Sequence, residues 1–202
     1  MQRYLITDRR RLFREGEPYT EFVARQRLVA LARFAAREGI AYLQLREKDW
    51  TARQITEVAT AMAAVLAETR TRLLVNDRFD VALAARAHGV HLTTRSLPAR
   101  IVRSCVPAGF LIAVSTHNRR EIAEAESFAD FAVCGPVFPS GGKPVLGLEA
   151  FAELARTTSL PLFALGGIGP DQAAHVRQAG AAGIAAIRAF AKEFLTSFSP
   201  ET

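Results

Sequence analysis

Eight times along this chain a short apolar run gives way to a longer stretch of mixed polarity, and this alternation limits the fold more than any other feature. The short runs are Arg3–Thr7, Ile40–Arg46, Arg72–Asn76, Gly89–Leu92, Phe110–Ser115, Asp130–Cys134, Leu160–Leu165 and Gly183–Ile187. They have the length and the β-branched or aromatic content of strands buried on both faces. Between them, Phe22–Arg37, Ala52–Ala67, Asn118–Ala125, Leu148–Arg156 and Pro170–Ala179 repeat apolar residues at steps of three and four, the helical period. Ser96-Leu97-Pro98 and Gly169-Pro170-Asp171 read as helix starts, and Gly39 and Gly180 as helix stops. Regular strand–helix alternation predicts a parallel sheet with right-handed crossovers. Eight repeats predict an α/β fold of one domain over residues 1–202, a compact (β/α)8 TIM barrel. The rival is an open doubly wound sheet. The tail beyond Phe190 reads as a last helix that ends near Ser199-Pro200.

Several broad classes drop out. No apolar run reaches the ~18–20 residues of a membrane span, and the basic start MQRYLITDRRRLF has no signal-peptide core. The two cysteines, Cys105 and Cys134, form no spaced motif and suggest reduced thiols in a cytoplasmic protein; Cys134 reads as a small buried hydrophobe. The net charge of +6 raises nucleic acid as a partner. However, the arginines are spread over helices (Arg25, Arg27, Arg33, Arg37), and the run Arg9-Arg10-Arg11 has no interleaved aromatics and no reader motif. An anionic small molecule suits such a field better. Neither nucleic acid nor membrane is expected as a partner, and self-association is left open.

In a barrel of this kind, function collects at the C-terminal ends of the strands, where this chain turns polar. Gln44 and Arg46 share a strand face, and an arginine facing inward requires an anion or a carboxylate; the alternative is a surface RExK run. Asn76-Asp77 is either a helix N-cap or, through Asp77, a ligand for Mg²⁺. Gly166-Gly167, before a helix start and facing Ile187-Arg188, could offer bare amides to a phosphate or simply make a turn. The loop GPVFPSGGKPVLG, residues 135–147, is either a plain connection or a backbone that closes on an anion, with Lys143 supplying charge. His117 could be an acid/base or a capping side chain, while His91 reads as structural and His88 and His175 carry no signal. No zinc-ligand spacing occurs. Ser115 and His117 lack the third group that a hydrolase triad needs.

Tyr4-Leu-Ile-Thr7, Gln44-Leu-Arg-Glu-Lys48, Asn76-Asp-Arg78, Gly89-Val-His-Leu92, Val114-Ser-Thr-His117, Gly135-Pro-Val-Phe-Pro139 with Lys143, Gly166-Gly-Ile168 and Ile187-Arg-Ala189 occur in this order. Together they resemble the thiamine phosphate synthase/TenI superfamily over essentially the whole chain. The resemblance implies the same compact barrel and one of two activities. A synthase joins a hydroxymethylpyrimidine diphosphate to a thiazole phosphate and releases pyrophosphate. For that activity it implies Arg46, Lys48, Asn76, Ser115 and Lys143 on the diphosphate, with Ser140 as a loop hydroxyl and Gln44 on the pyrimidine. It also implies Gly166, Gly167, Ile187 and Arg188 on the thiazole phosphate, and Mg²⁺ on Asp77. A TenI-like thiazole tautomerase needs the phosphate corner and an acid/base at His117, with no metal cofactor. Two departures favour the tautomerase. Ser96 stands where a second metal-binding aspartate is expected, and Gly142 stands where the loop should carry a hydroxyl. A non-catalytic sensor of a phosphorylated ligand is the third reading.

Overall fold

The computed structural model describes residues 1–142 and 144–198. Eight strands, β1 (Gln2–Ile6), β2 (Tyr42–Leu45), β3 (Arg72–Asn76), β4 (Gly89–Leu92), β5 (Leu111–Thr116), β6 (Phe131–Cys134), β7 (Leu162–Leu165) and β8 (Gly183–Ala186), form a closed parallel barrel in chain order. β8 closes onto β1 with Ala185 opposite Tyr4. The strands alternate with α1 (Glu21–Arg37), α2 (Ala52–Leu66), α3 (Phe79–Ala84), α4 (Ala99–Cys105), α5 (Arg119–Ala125), α6 (Leu148–Arg156), α7 (Pro170–Gln178) and α8 (Arg188–Ser197), and a short 3₁₀ helix covers Arg9–Leu12. The barrel is the expected fold, and the open-sheet rival is discarded. The expected end of the last helix near Ser199-Pro200 lies outside the described residues. Among those residues, no helix is long and apolar enough to cross a membrane.

The period of two along each strand builds two distinct layers inside the barrel. Tyr4, Tyr42, Phe131 and Phe163 point inward near the N-terminal end and pack ring on ring, with Tyr42–Phe131 centroids 4.6 Å apart and Tyr4–Phe131 5.5 Å apart. Gly183 makes room for this plug, because a Cβ there would lie 2.2 Å from the Phe163 ring. Two residues further along, the inward positions become polar: Gln44 follows Tyr42, Asn76 follows Leu74, His91 follows Gly89 and Ser115 follows Ala113. The lower layer is therefore a dry floor and the upper layer a polar one. The outward-facing residues, such as Leu5, Leu43, Leu73, Val90 and Ile112, join the larger core beneath the helices.

Local signals set the helix ends. Thr51 and Gln54 form a capping box on α2, and Thr20 and Asn118 accept from Val23 N and Glu121 N at the starts of α1 and α5. Gly39 and Gly180 sit at φ 63° and 92°, ending α1 and α7 as the sequence predicts. Cys134 is buried, which pushes its thiol up to about 11, and it is a packing residue.

Candidate active site

One cavity of about 1210 Å³ opens over the C-terminal ends of the strands. Gln44, Arg46, Lys48, Asn76 and Asp77 line one side of it. Ser115, His117 and Ser140 line the middle. Gly166, Gly167, Ile187 and Arg188 line the other side. All the expected site residues except Lys143 thus meet at a single mouth; Lys143 lies outside the described residues.

β2 delivers the first group by alternation. Gln44 is 1% exposed and its Nε2 donates to Asn76 Oδ1 at 3.2 Å. Its Oε1 is buried with no partner among the described residues, an acceptor awaiting a donor. Arg46 follows on the same side, just past the strand, and its backbone N–H donates to Thr7 Oγ1 at 2.9 Å. Glu47 turns the other way. It accepts from Thr7 Oγ1 at 2.6 Å and from Arg9 Nη1 at 3.1 Å. Within the run Arg46-Glu47-Lys48, Glu47 is therefore not a solvated surface residue, being 5% exposed.

Arg9 is a residue whose role the sequence did not reveal. Its guanidinium also donates to Asp49 at 2.6 and 2.8 Å, to Glu21 at 3.1 Å and to Tyr19 at 2.8 Å, and it stacks 4.8 Å from the Trp50 ring. This nest lies behind the cavity and fixes the loop that carries Arg46 and Lys48. It holds the Asp49 carboxyl down to about 2, while burial pushes the Glu47 carboxyl up against the pull of Thr7 and Arg9. Glu47 and Asp49 lie 38 and 40 residues from Arg9 in sequence, and no local pattern links them to it.

Asp77 lies in the left-handed region at φ 65°, its N–H held by the His91 carbonyl at 2.8 Å. A non-glycine residue rarely adopts this conformation unless its surroundings impose it. The capping role open to Asn76-Asp77 is not realised, since α3 is preceded by Arg78, with no side-chain cap. Of the acids lining the cavity, Asp8 pairs with Arg11 and Glu47 with Arg9, whereas the Asp77 carboxylate has no ion pair among the described residues. Arg46 and Arg95 likewise line the cavity without an ion pair there, so its field is positive. Ser96 is turned away: its Oγ accepts from Thr93 N at 2.8 Å, and Arg95 rather than Ser96 reaches the cavity lining.

His117 stands at the mouth with about half of its side chain exposed. Its N–H and its Nδ1 both face Glu121 Oε2, at 2.7 and 3.1 Å. It is not the cap of α5, which is Asn118. His91, by contrast, is 3% exposed in the polar floor, bound to Tyr4 and to Ser115. His88 is structural too, accepting from Leu73 N at 3.0 Å.

The glycine pair makes a turn, as one of its two readings expects. Gly166 and Gly167 take φ 97° and 64°, and a Cβ on either would lie 2.4 Å from Pro136 Cβ or 2.7 Å from Phe138 Cβ. The loop after β6 therefore packs directly on the glycine turn, with Val137 N on Leu165 O at 2.8 Å and Phe138 N on Gly166 O at 3.1 Å. The amides of Gly167 and Ile168 donate to nothing among the described residues, and the first turn of α8, at Ile187-Arg188, adds free helix N–H groups beside them. Gly166→Ala is expected to lower stability by about 2 kcal/mol, from overpacking at a left-handed site. Denaturant unfolding checks it, and an unchanged midpoint would mean that the turn is not tightly packed.

Residues 4–190 match the family of thiamine monophosphate synthases. The chain belongs to this family. A thiamine-phosphate synthase of Methanoculleus marisnigri is 40% identical over 168 residues, covering 81% of this chain and 80% of that one. One from Syntrophomonas wolfei is 36% identical over 191 residues, covering 92% and 86%. The solved structure of a thiamine phosphate pyrophosphorylase from Pyrococcus furiosus superposes with a TM-score of 0.78 at 29% identity, covering 97% and 96%. Membership in the thiamine monophosphate synthase family makes the chain an enzyme of thiamine biosynthesis.

Proposed function

We propose that this enzyme is a thiamine phosphate synthase, coupling a pyrimidine diphosphate to a thiazole phosphate. This reverses the order that the loss of a carboxylate at Ser96 suggested, in which a tautomerase came first. Relatives named thiamine-phosphate synthases, matching most of the chain, support the reversal. The observation that carries it is the orphaned Gln44 Oε1 in the cavity floor. An aminopyrimidine brings an exocyclic N–H that satisfies this acceptor; a thiazole phosphate alone does not. The cavity volume, about 1210 Å³, also suits two substrates side by side better than one.

In this reading the bond from the pyrimidine methylene carbon to the diphosphate oxygen breaks, and its electron pair leaves with the diphosphate. The thiazole nitrogen then bonds to the pyrimidine carbon. Arg46, Lys48, Asn76 and Ser115 bind the departing diphosphate, so that its growing charge meets fixed donors in a half-enclosed site. The glycine turn and the start of α8 hold the thiazole phosphate on the far side, with Arg188 beside them. Ser140 holds the loop near this edge through a long contact from Arg188 Nη2, 3.4 Å. Mg²⁺ fits this donor set through Asp77, the acid of the cavity lining that has no ion pair among the described residues, together with diphosphate oxygens, since Mg²⁺ is commonly held by one or two carboxylates plus substrate phosphates. Bound there, it would spread the leaving-group charge.

The assay uses purified protein, both precursors and Mg²⁺. The expected product is thiamine phosphate, formed by wild type and, within a few-fold, by His117→Ala, because the synthase chemistry asks no proton transfer of this exposed side chain. A tautomerase would give no coupled product, and its proton transfer would vanish in His117→Ala. A phosphate sensor would bind ligand and turn over neither substrate.

A further inference from the structure

Three side chains form an unbroken line from the apolar plug to the cavity. Tyr4 on β1 is fully buried among Phe131, Phe163 and Tyr42. Its hydroxyl lies 2.9 Å from His91 Nδ1 on β4, and His91 Nε2 lies 2.8 Å from Ser115 Oγ on β5. Ser115 lines the cavity. Nothing in the coupling chemistry above explains why a tyrosine and a histidine should be buried in a dry barrel behind this serine.

Only one arrangement of protons satisfies the line. Burial among aromatic rings keeps the Tyr4 phenol protonated, holding it well above its usual range, and its one hydrogen-bond partner among the described residues is His91 Nδ1. If Nδ1 carried the imidazole proton, the phenol O–H would point into apolar rings with nothing to accept it. A neutral imidazole offers one donor and one acceptor. The phenol therefore donates to Nδ1, and Nε2–H donates to Ser115 Oγ. The serine oxygen is then occupied from behind, and its hydrogen is left to point into the cavity. A doubly protonated ring would donate from both nitrogens and leave the buried phenol proton without an acceptor, so the same geometry requires a neutral His91.

We propose that Tyr4 and His91 are positioning residues that lock the Ser115 hydroxyl as an obligate hydrogen-bond donor to an anion bound in the cavity. Given the synthase reading, that anion is the diphosphate. The same polarity prevents His91 from acting as a base towards Ser115, since its Nε2 already carries a proton. Ser115 is thus a fixed donor and not a nucleophile. A fixed donor acts without reorienting when charge develops, which is the property a leaving-group site requires.

The test has two arms. In ¹⁵N-labelled wild-type protein without ligand, the His91 ring should carry its proton on Nε2, and in Tyr4→Phe, which keeps the ring in its apolar nest, the Nδ1–H form should become populated. A wild-type ring protonated on Nδ1 would overturn the relay. In the second arm, inorganic pyrophosphate with Mg²⁺ is the probe. Tyr4→Phe and Ser115→Ala should each weaken binding about tenfold, the scale of a lost hydrogen bond to a charged group, and the double variant should bind no more weakly than Ser115→Ala alone. Losses that multiply would show that Tyr4 acts only on the fold and would also overturn the relay. The tautomer is read without ligand, so Nε2–H combined with no pyrophosphate binding by wild type would uphold the relay and reject the diphosphate reading.

Discussion

Arg46→Ala is expected to cut thiamine phosphate formation on the order of a hundredfold while leaving the unfolding midpoint unchanged. Arg46 has no ion-pair partner among the described residues, and its backbone is pinned by Thr7 Oγ1, so the side chain is free to face a ligand. Removing it takes a full positive charge from the edge to which the synthase reading assigns the leaving group. It also takes a cation away from Arg95, which lines the same cavity, so stability should hold or rise slightly. Arg46→Lys keeps the charge but loses the planar fork, and should recover only part of the rate. Steady-state kinetics with both precursors checks this. Activity within a few-fold of wild type in Arg46→Ala would move the diphosphate off this edge.

Arg9→Leu should have the opposite signature, a large loss of stability. Arg9 is 3% exposed and is the cation that compensates Glu47, itself 5% exposed. Removing one member of such a pair strands the other, at a cost of ~3–5 kcal/mol. The double change Arg9→Leu with Glu47→Gln should recover much of the loss, because no buried charge is then left alone. The nest also predicts a pH signature. Asp49 is lowered to about 2 mainly by Arg9, and Glu17 to about 2 by its pair with Arg27. A depressed carboxylate contributes stability that is complete above its unfolded value of about 4 and is lost as pH falls towards 2. Glu47, raised by burial, works in the opposite sense. Wild-type stability should therefore fall between about pH 4 and 2, and the Asp49 share of that fall should vanish in Arg9→Leu. Chemical denaturation across that pH range measures it. Equal slopes in both proteins would mean that Arg9 does not set the ionisation of Asp49.

The barrel was legible because burial on both faces forces apolar runs whose period and length survive in one sequence. β3 (Arg72–Asn76), β4 (Gly89–Leu92) and α6 (Leu148–Arg156) have the predicted bounds. The site was legible in outline because several runs turn polar at their C-terminal ends, as at Gln44-Leu-Arg46, Asn76 and Ser115. What escaped were interactions across long sequence separations. Arg9 read only as part of the basic run Arg9-Arg10-Arg11, yet it anchors the Arg46–Asp49 loop through residues about forty positions away. The cap alternative for Asn76-Asp77 arose because cap preference is local, whereas the left-handed turn at Asp77 depends on a carbonyl from β4. His91 did prove structural, but its neighbours on β1 and β5 give it a bearing on the cavity that its own strand could not disclose. The glycine pair read as either a phosphate site or a plain turn, and the close approach of Pro136 and Phe138 that requires glycine at both positions is a tertiary fact.

The central claim is that one mouth holds two anions at opposite edges. A crystal structure of the protein with pyrophosphate, Mg²⁺ and the thiazole phosphate tests it directly. The account predicts pyrophosphate on Arg46, Asn76 and Ser115 with the metal on Asp77, and the thiazole phosphate on the amides of Gly167 and Ile168 beside the start of α8. Either ligand bound instead in the separate groove between Arg10, Arg14 and Lys192, or both competing for one edge, would contradict it.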